Sequence, residues 1–281
     1  MEAQALFCEL TAYAATRDWQ YIYPVWSRRA QGISIGINLH PNHCCNWHCI
    51  YCQVPGLQRG PSPVIAMQIL QAELQECLDW ITEQSMAHGV DPLSSLIQDI
   101  AFAGDGEPTT SPQFPEALKV VNHILKHHQQ PVLVRLITNG SQLQYAHVQH
   151  AIQCLNAMGG EVWFKLDAGS DAEMHALNDS HVPLALHLQR LQTCCTLCTT
   201  WVQTAVVSRQ VNQQMITTPS LPGYIKALEA YQGKMAGILL YGISRPSQQA
   251  AAVCLQPTSE KVIQGYAGEL REHGFNVRAF S

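Results

Sequence analysis

Residues 33–52 read Ile-Ser-Ile-Gly-Ile-Asn-Leu-His-Pro-Asn-His-Cys-Cys-Asn-Trp-His-Cys-Ile-Tyr-Cys. The first seven (33–39) are rich in β-branched residues with alternating small and polar ones, the pattern of a strand. Pro41 and Asn42 stop it, and a polar, cysteine-rich loop follows. Working outward, the same unit recurs. Strand-type runs at 99–103, 132–137, 162–166, 201–207 and 238–243 alternate with helix-type stretches at 67–86, 115–128, 142–158, 184–198 and 223–231. In the first helix Ile69, Leu70, Leu74, Cys77, Leu78 and Ile81 form the expected apolar face. A helix at 259–273 and a short strand at 276–280 close the chain. Parallel neighbours need long crossovers, so this rhythm predicts a parallel sheet. Six units make either an open doubly wound sheet or a partial (β/α) barrel. In both, chemistry gathers at the C-terminal strand ends. Those ends carry the cysteines after strand one, Gly-Asp-Gly-Glu-Pro-Thr (104–109) after strand two, Thr138-Asn139-Gly140 after strand three and Leu-Asp-Ala-Gly (166–169) after strand four.

The chain has 281 residues, 47% hydrophobic and 13% charged, enough to bury a sizeable core. A net charge of −5 provides no long-range positive field to attract nucleic acid. The first 21 residues carry Glu2, Glu9, Arg17 and Asp18 among apolar ones, which does not read as a signal peptide. No stretch approaches the roughly 18–20 apolar residues of a membrane span. A cytoplasmic location is therefore expected, where the eleven cysteines stay mostly reduced.

Cys45, Cys49 and Cys52 place three thiols within eight residues. Three thiolates on one tight loop can hold three irons of a cubane cluster and leave the fourth iron open to a small molecule. A structural zinc completed by His43 or His48 is the competing reading. Zinc usually clamps two ligand pairs across a longer spacer, and no second pair follows at a suitable distance. Cys44 has the wrong spacing to Cys49, so Cys45 is taken as the ligand.

The C-x3-C-x2-C spacing with an aromatic before the last cysteine resembles the signature of the radical SAM superfamily. The stretches PVWSRRAQGISIGINLHP (24–41), GDGEPT (104–109) and YGISRPS (241–247) resemble its wyosine-synthase-like, tRNA-modification-related subgroup, over roughly residues 22 to 247. The resemblance implies a partial parallel (β/α)6 TIM-like barrel with a short C-terminal extension. The barrel would occupy residues 1–250, with a core at about 30–247, and the extension 251–281. It further implies a 4Fe-4S cluster that reductively cleaves S-adenosylmethionine to methionine and a 5′-deoxyadenosyl radical, which takes hydrogen from a substrate. The electron would come from an external flavodoxin- or ferredoxin-like donor. A tRNA base, a peptide and a small metabolite are all open as substrate, and the acidic balance does not favour tRNA. Wyosine synthases carry a second cluster on cysteines upstream of the main motif, whereas only Cys8 and Cys44 precede it here.

By the same resemblance Gly104, Asp105, Gly106 and Glu107 would bind the methionine amino group of the cofactor, with either carboxylate as acceptor. Asn139, after Thr138, and Asp167 lie where relatives hold its ribose and carboxylate, and Tyr51 would lie near the adenine. Turn chemistry, a helix cap and simple packing are their structural alternatives. Lys165 shares a strand face with Trp163 and Asp167, opposite Val162, Phe164 and Leu166, and should point into the barrel. A buried lysine needs a partner such as Asp167 or Glu107, or serves as substrate anchor or proton donor. Arg28 and Arg29 could bind an anionic group or form surface pairs. Cys194, Cys195 and Cys198, on one helix, read as a second cluster site or as core residues. The alternative class is a non-catalytic iron–sulfur or zinc protein that senses redox state or docks a partner. Such a protein would not need the strand-end motifs.

Overall fold

Ile33, Ile35 and Ile37 are wholly buried on one strand face, and the same pattern repeats along the sheet. The computed structural model describes residues 3–87, 97–128, 132–243 and 245–280. Its main sheet runs β1 (Ile22–Ser27), β2 (Gly32–Ile37), β3 (Ile97–Phe102), β4 (Val134–Thr138), β5 (Glu161–Lys165), β6 (Thr199–Val211), β7 (Gly237–Gly242) and β8 (Val277–Phe280). Each strand pairs with the next. β1 is antiparallel to β2, and every later pairing is parallel. β1 and β8 remain the two edges, so the sheet curls into a partial barrel without closing. The six parallel strands expected are β2 to β7, and β8 adds a seventh beside β7.

Helices α1 (Ala3–Ala15), α2 (Met67–Ala87), α3 (Phe114–His128), α4 (Ala146–Ala157), α5 (Asp171–Asn178), α6 (Leu184–Leu197), α7 (Leu221–Leu228) and α8 (Glu260–Glu272) supply the crossovers and the outer layer. The main core lies between sheet and helices. Val162, Phe164 and Leu166 of the β5 segment belong to it. Trp163, Trp201 and Leu239 form a separate inner cluster. Period-two alternation had assigned these faces correctly.

Three details differ from expectation. Ile69 is 40% exposed rather than part of the apolar face of α2. It sits about 100° round the helix from buried Leu70, beyond the buried stripe. β6 extends well past 201–207. Its outer half pairs antiparallel with Gln214–Thr218 through a two-residue turn, and with Leu255–Gln256. Both turn residues, Asn212 and Gln213, have positive φ, 48° and 65°, as a tight hairpin demands. Finally, α1, β1 and α5 have no counterpart in the periodicity reading. Buried Glu73 of α2 anchors the start of β1 by accepting the backbone N–H groups of Gln20, Tyr21 and Ile22. Among the described residues no helix is long and apolar enough to cross a membrane.

Candidate functional site

The cysteine loop leaves the C-terminal end of β2 and is braced from several sides. Cys44–Cys45 pairs with Gln58–Arg59, closing the loop on itself. Arg59 donates to the Asn46 carbonyl at 2.6 Å and to Asp179. The N–H groups of His48 and Ile50 donate to the carbonyls of Asn178 (3.1 Å) and Leu177 (2.9 Å) at the end of α5. Ser247 Oγ donates to the Ile50 carbonyl at 2.7 Å, and Gln248 N to that of Cys52 at 2.9 Å. Ser247 ends the segment 241–247 singled out by sequence and Gln248 follows it; Ser244 of that segment is outside the described residues. Trp47 is buried against Ala168 and Met174, with Cys45 and Cys49 packed on it.

Cys45, Cys49 and Cys52 are free thiols. Burial pushes Cys45 up to about 12 and Cys49 up to about 11, and also raises Cys52. The charges of Cys49 and Cys52 add to the shift at Cys45, so the three sulfurs share one electrostatic neighbourhood. Such thiols ionise when metal coordination displaces their protons. The three sulfurs do not all lie within 4.8 Å of one another. Tetrahedral zinc, with Zn–S bonds of about 2.3 Å, would draw its thiolates to about 3.8 Å apart. Cys44 turns away, its Sγ 3.6 Å from the Asn42 carbonyl.

At the end of β3 the glycines are required by close approach. Gly104 has φ +129°, and a Cβ there would meet Asn38 Oδ1 at 2.5 Å. A Cβ on Gly106 would press into the Cys44 carbonyl and the His40 ring, 2.6 Å from His40 Cδ2. This loop therefore lies directly against the cysteine loop. Asp105 is partly exposed. Its Oδ2 accepts from Asn38 Nδ2 at 2.9 Å and lies 3.5 Å from His43 Nε2. Glu107 is buried and committed within the protein. It accepts from Thr109 N (3.1 Å), Thr109 Oγ1, Thr138 Oγ1 (2.6 Å) and Asn139 N (2.6 Å). Burial raises its pKa, and these donors hold it partly down. Glu107 thus ties the end of β3 to the end of β4.

Asn139 continues the chain of contacts. Its Nδ2 donates to Asn46 Oδ1 at 2.8 Å, and Asn46 Nδ2 donates to Ser141 Oγ at 2.6 Å. Asp167, beyond β5, is fully buried and does not cap α5, a task taken by Ser170. It accepts instead from Tyr51 OH, Asn178 Nδ2 (2.9 Å), Lys165 Nζ (3.2 Å) and Ala205 N (2.7 Å). Tyr51 lies beneath the loop, and burial followed by the Asp167 charge holds its phenol well above the ordinary range. Lys165 points to the inner face, between Asp167 and Tyr241 OH (2.6 Å), with the Tyr51 ring 4.9 Å away. Burial opposes its charge, but Asp167 and Tyr241 outweigh that and raise its pKa. Glu107 is not its partner. Arg29 stacks over Tyr241 at 4.7 Å and Trp163 at 5.6 Å on the same inner face, whereas Arg28 is exposed.

The structure thus brings the cysteine loop, Gly104–Glu107, Asn139, Asp167, Tyr51 and Lys165 to one end of the sheet. Cys194 and Cys198 are buried, Cys198 immediately before β6 begins, so this cluster lies at the opposite, N-terminal end. Cys198 Sγ donates to the Gly160 carbonyl and Cys194 Sγ accepts from Thr200 Oγ1, as core thiols do. Sequence reasoning missed Asn178, whose Nδ2 donates to Cys49 Sγ at 3.3 Å and to Tyr51 OH at 3.0 Å. It also missed Tyr241 and Asn46. Asn46 lies inside the cysteine motif and Tyr241 opens the YGISRPS stretch, so these two carried a local signal and Asn178 did not.

No family model matches the chain. Two proteins from two strains of Helicobacter pylori, each called UPF0026 protein, are 29% identical over 148 residues, which is 52% of this chain and 41% of theirs. The match thus spans about two-fifths of these relatives' length. A GTPase Obg of Brachyspira hyodysenteriae is 29% identical over 120 residues, 43% of this chain but only 15% of that protein. Among solved structures, a radical SAM methyltransferase from Sphaerobacter thermophilus has a TM-score of 0.60 at 14% identity, covering 88% of this chain and 66% of its own. TYW1 with a lysine-pyruvate adduct bound has a TM-score of 0.54 at 12% identity, covering 86% and 74%. At these identities the likeness is one of fold. The chain has the partial-barrel fold of radical SAM enzymes.

Proposed function

We propose that this chain is a radical SAM enzyme in which Cys45, Cys49 and Cys52 ligate three irons of a 4Fe-4S cluster and the fourth iron takes S-adenosylmethionine. The observation that carries this is the position of the three-thiol loop. It stands at the end of the first parallel strand of a radical SAM-type sheet, touched by the ends of the next three strands. Three thiols within eight residues, with no second ligand pair at a spacing zinc would use, support a multi-iron core over the zinc alternative. When bound, the group supplies one-electron cleavage of the sulfonium C–S bond, with an external flavodoxin- or ferredoxin-like donor as the electron source.

The protein's own residues seat and shield this chemistry. Asp105, rather than Glu107, is the carboxylate we assign to the cofactor's ammonium group. The oxygens of Glu107 are taken by four protein donors, whereas Asp105 is at the lip with only Oδ2 engaged. Asn139 and Asp167 position the loop through Asn46 and Tyr51. Lys165 is held as an ammonium by Asp167 and suits anchoring of an anionic substrate group better than attack on a carbonyl. The test is anaerobic reconstitution with iron and sulfide, followed by dithionite and S-adenosylmethionine. Formation of 5′-deoxyadenosine, lost in Cys49→Ala and made tenfold or more dependent on higher cofactor concentration in Asp105→Ala, is expected. A filled cluster without turnover would overturn the proposal.

A further inference from the structure

The C-terminal turn of α5 gathers three metal-ligating side chains on the surface, away from the cysteines. His175 lies in the last turn and Asp179 is its left-handed cap, with φ 49° and ψ 41°. His181 follows two residues later. One ligand atom from each lies within 4.8 Å of the other two, the one such three-residue set among the described residues. The two imidazole rings have centroids 4.5 Å apart, and His175 Nδ1 is 3.9 Å from Asp179 Oδ1. Arg59 donates to the other oxygen, Oδ2, at 2.7 Å and to the Asp179 carbonyl at 2.6 Å. That double contact fixes the carboxylate and leaves Oδ1 facing the histidines. The carbonyl end of α5 adds partial negative charge where a cation would sit.

We infer that His175, Asp179 and His181 form a second metal site, for a divalent late first-row cation of the zinc class. Two imidazoles and one carboxylate oxygen are the donors such ions take, and a water can complete four-coordination. Tetrahedral bonds of about 2.0 Å place donors about 3.3 Å apart. The exposed His175 and His181 side chains can close that distance by rotamer adjustment. The site also faces the cysteine loop through its backbone. Asn178, between the ligands, points the other way, to Cys49, Tyr51 and Asp167. The carbonyls of Leu177 and Asn178 hold the Ile50 and His48 N–H groups. Metal on one face of this turn therefore tightens the wall of the other site. The inference does not depend on the proposed radical chemistry.

The test uses the full chain with Cys45, Cys49 and Cys52 changed to alanine, removing the three loop thiols proposed as cluster ligands, and titrates it with Zn(II) and then Co(II). One saturable equivalent is expected, with cobalt absorption lacking a thiolate charge-transfer band. His175→Ala with His181→Ala should weaken zinc binding at least tenfold. In the protein with both histidines, zinc should slow amide exchange at His48 and Ile50, and in the double variant it should not. Equal zinc affinity with and without the two histidines would overturn the inference, as would the lack of any saturable site. Should the cysteine substitutions prevent folding, the histidine pair is changed in the otherwise unaltered chain. The same inference then requires a loss of one equivalent of zinc, and no loss refutes it.

Discussion

Replacing Glu107 with alanine should destabilise the metal-free protein substantially, because this carboxylate is an internal tie. It receives Thr109 N, Thr109 Oγ1, Thr138 Oγ1 and Asn139 N in a fully buried position. The hydroxyls can rotate to other acceptors; the two backbone N–H groups cannot. Each buried donor left unpaired costs about 1–3 kcal/mol, and water entering the vacated space recovers part of it. A net loss of about 3 kcal/mol is expected. For a chain of this size that lowers the melting temperature by roughly 6–12 °C. Glu107→Gln should fall between, since the amide keeps one accepting oxygen but turns an NH2 toward a donor. Thermal unfolding followed by circular dichroism, at neutral pH with reductant and no iron, reads this directly. A Glu107→Ala protein melting within about 2 °C of the parent would refute the reasoning. Glu107 would then be free for a ligand rather than committed to the fold.

Gly106→Ala should push the cysteine loop off the end of β3 at a cost of about 1–3 kcal/mol, seen as a lower melting temperature and less iron bound after reconstitution. Unfolded thiols ionise near pH 8.5, whereas burial keeps Cys45 and Cys49 protonated to about 12 and about 11. The metal-free protein should therefore lose stability as pH rises through that window, and Cys45→Ser with Cys49→Ser should flatten the slope in denaturant titrations. An unchanged slope would count against the buried-thiol geometry. In acid, burial pushes His40 and His187 down to about 4, against about 6.5 when unfolded. Their contribution is present above about pH 6.5 and fades as pH falls toward 4, so the urea midpoint should drop between about pH 7 and 5, less so in His187→Gln.

The strands β2 to β5 and β7 were legible because each is a short apolar run with Gly, Asn or Asp at or just past its terminus, whereas β6, thirteen residues long, was legible only in its inner half. β1 was not, since Pro24 and four other half-buried residues give it no clean alternation; an antiparallel edge tolerates both. The hairpin after β6 escaped notice because its turn uses Asn212 and Gln213 without a glycine. Within the candidate site, spacing picked out the three cysteines as candidates, and strand-end position together with the family resemblance picked out Asp105, Asn139 and Asp167. What sequence could not give was the division of labour between carboxylates. Asp105 and Glu107 are two residues apart in one motif, yet one is at the lip and the other is sealed by four donors. Asn178 reaches Cys49 across 129 residues of chain, a contact set only by tertiary packing.

The most direct test of the open fourth iron is electron paramagnetic resonance of the reconstituted, dithionite-reduced protein, recorded with and without S-adenosylmethionine. On the proposed assignment three protein thiolates leave one iron free to take the cofactor, so the signal of the reduced cluster should shift on its addition and fail to form in Cys49→Ala. A reduced cluster whose spectrum is identical with and without S-adenosylmethionine would contradict the assignment, leaving Cys45, Cys49 and Cys52 as a redox or structural site.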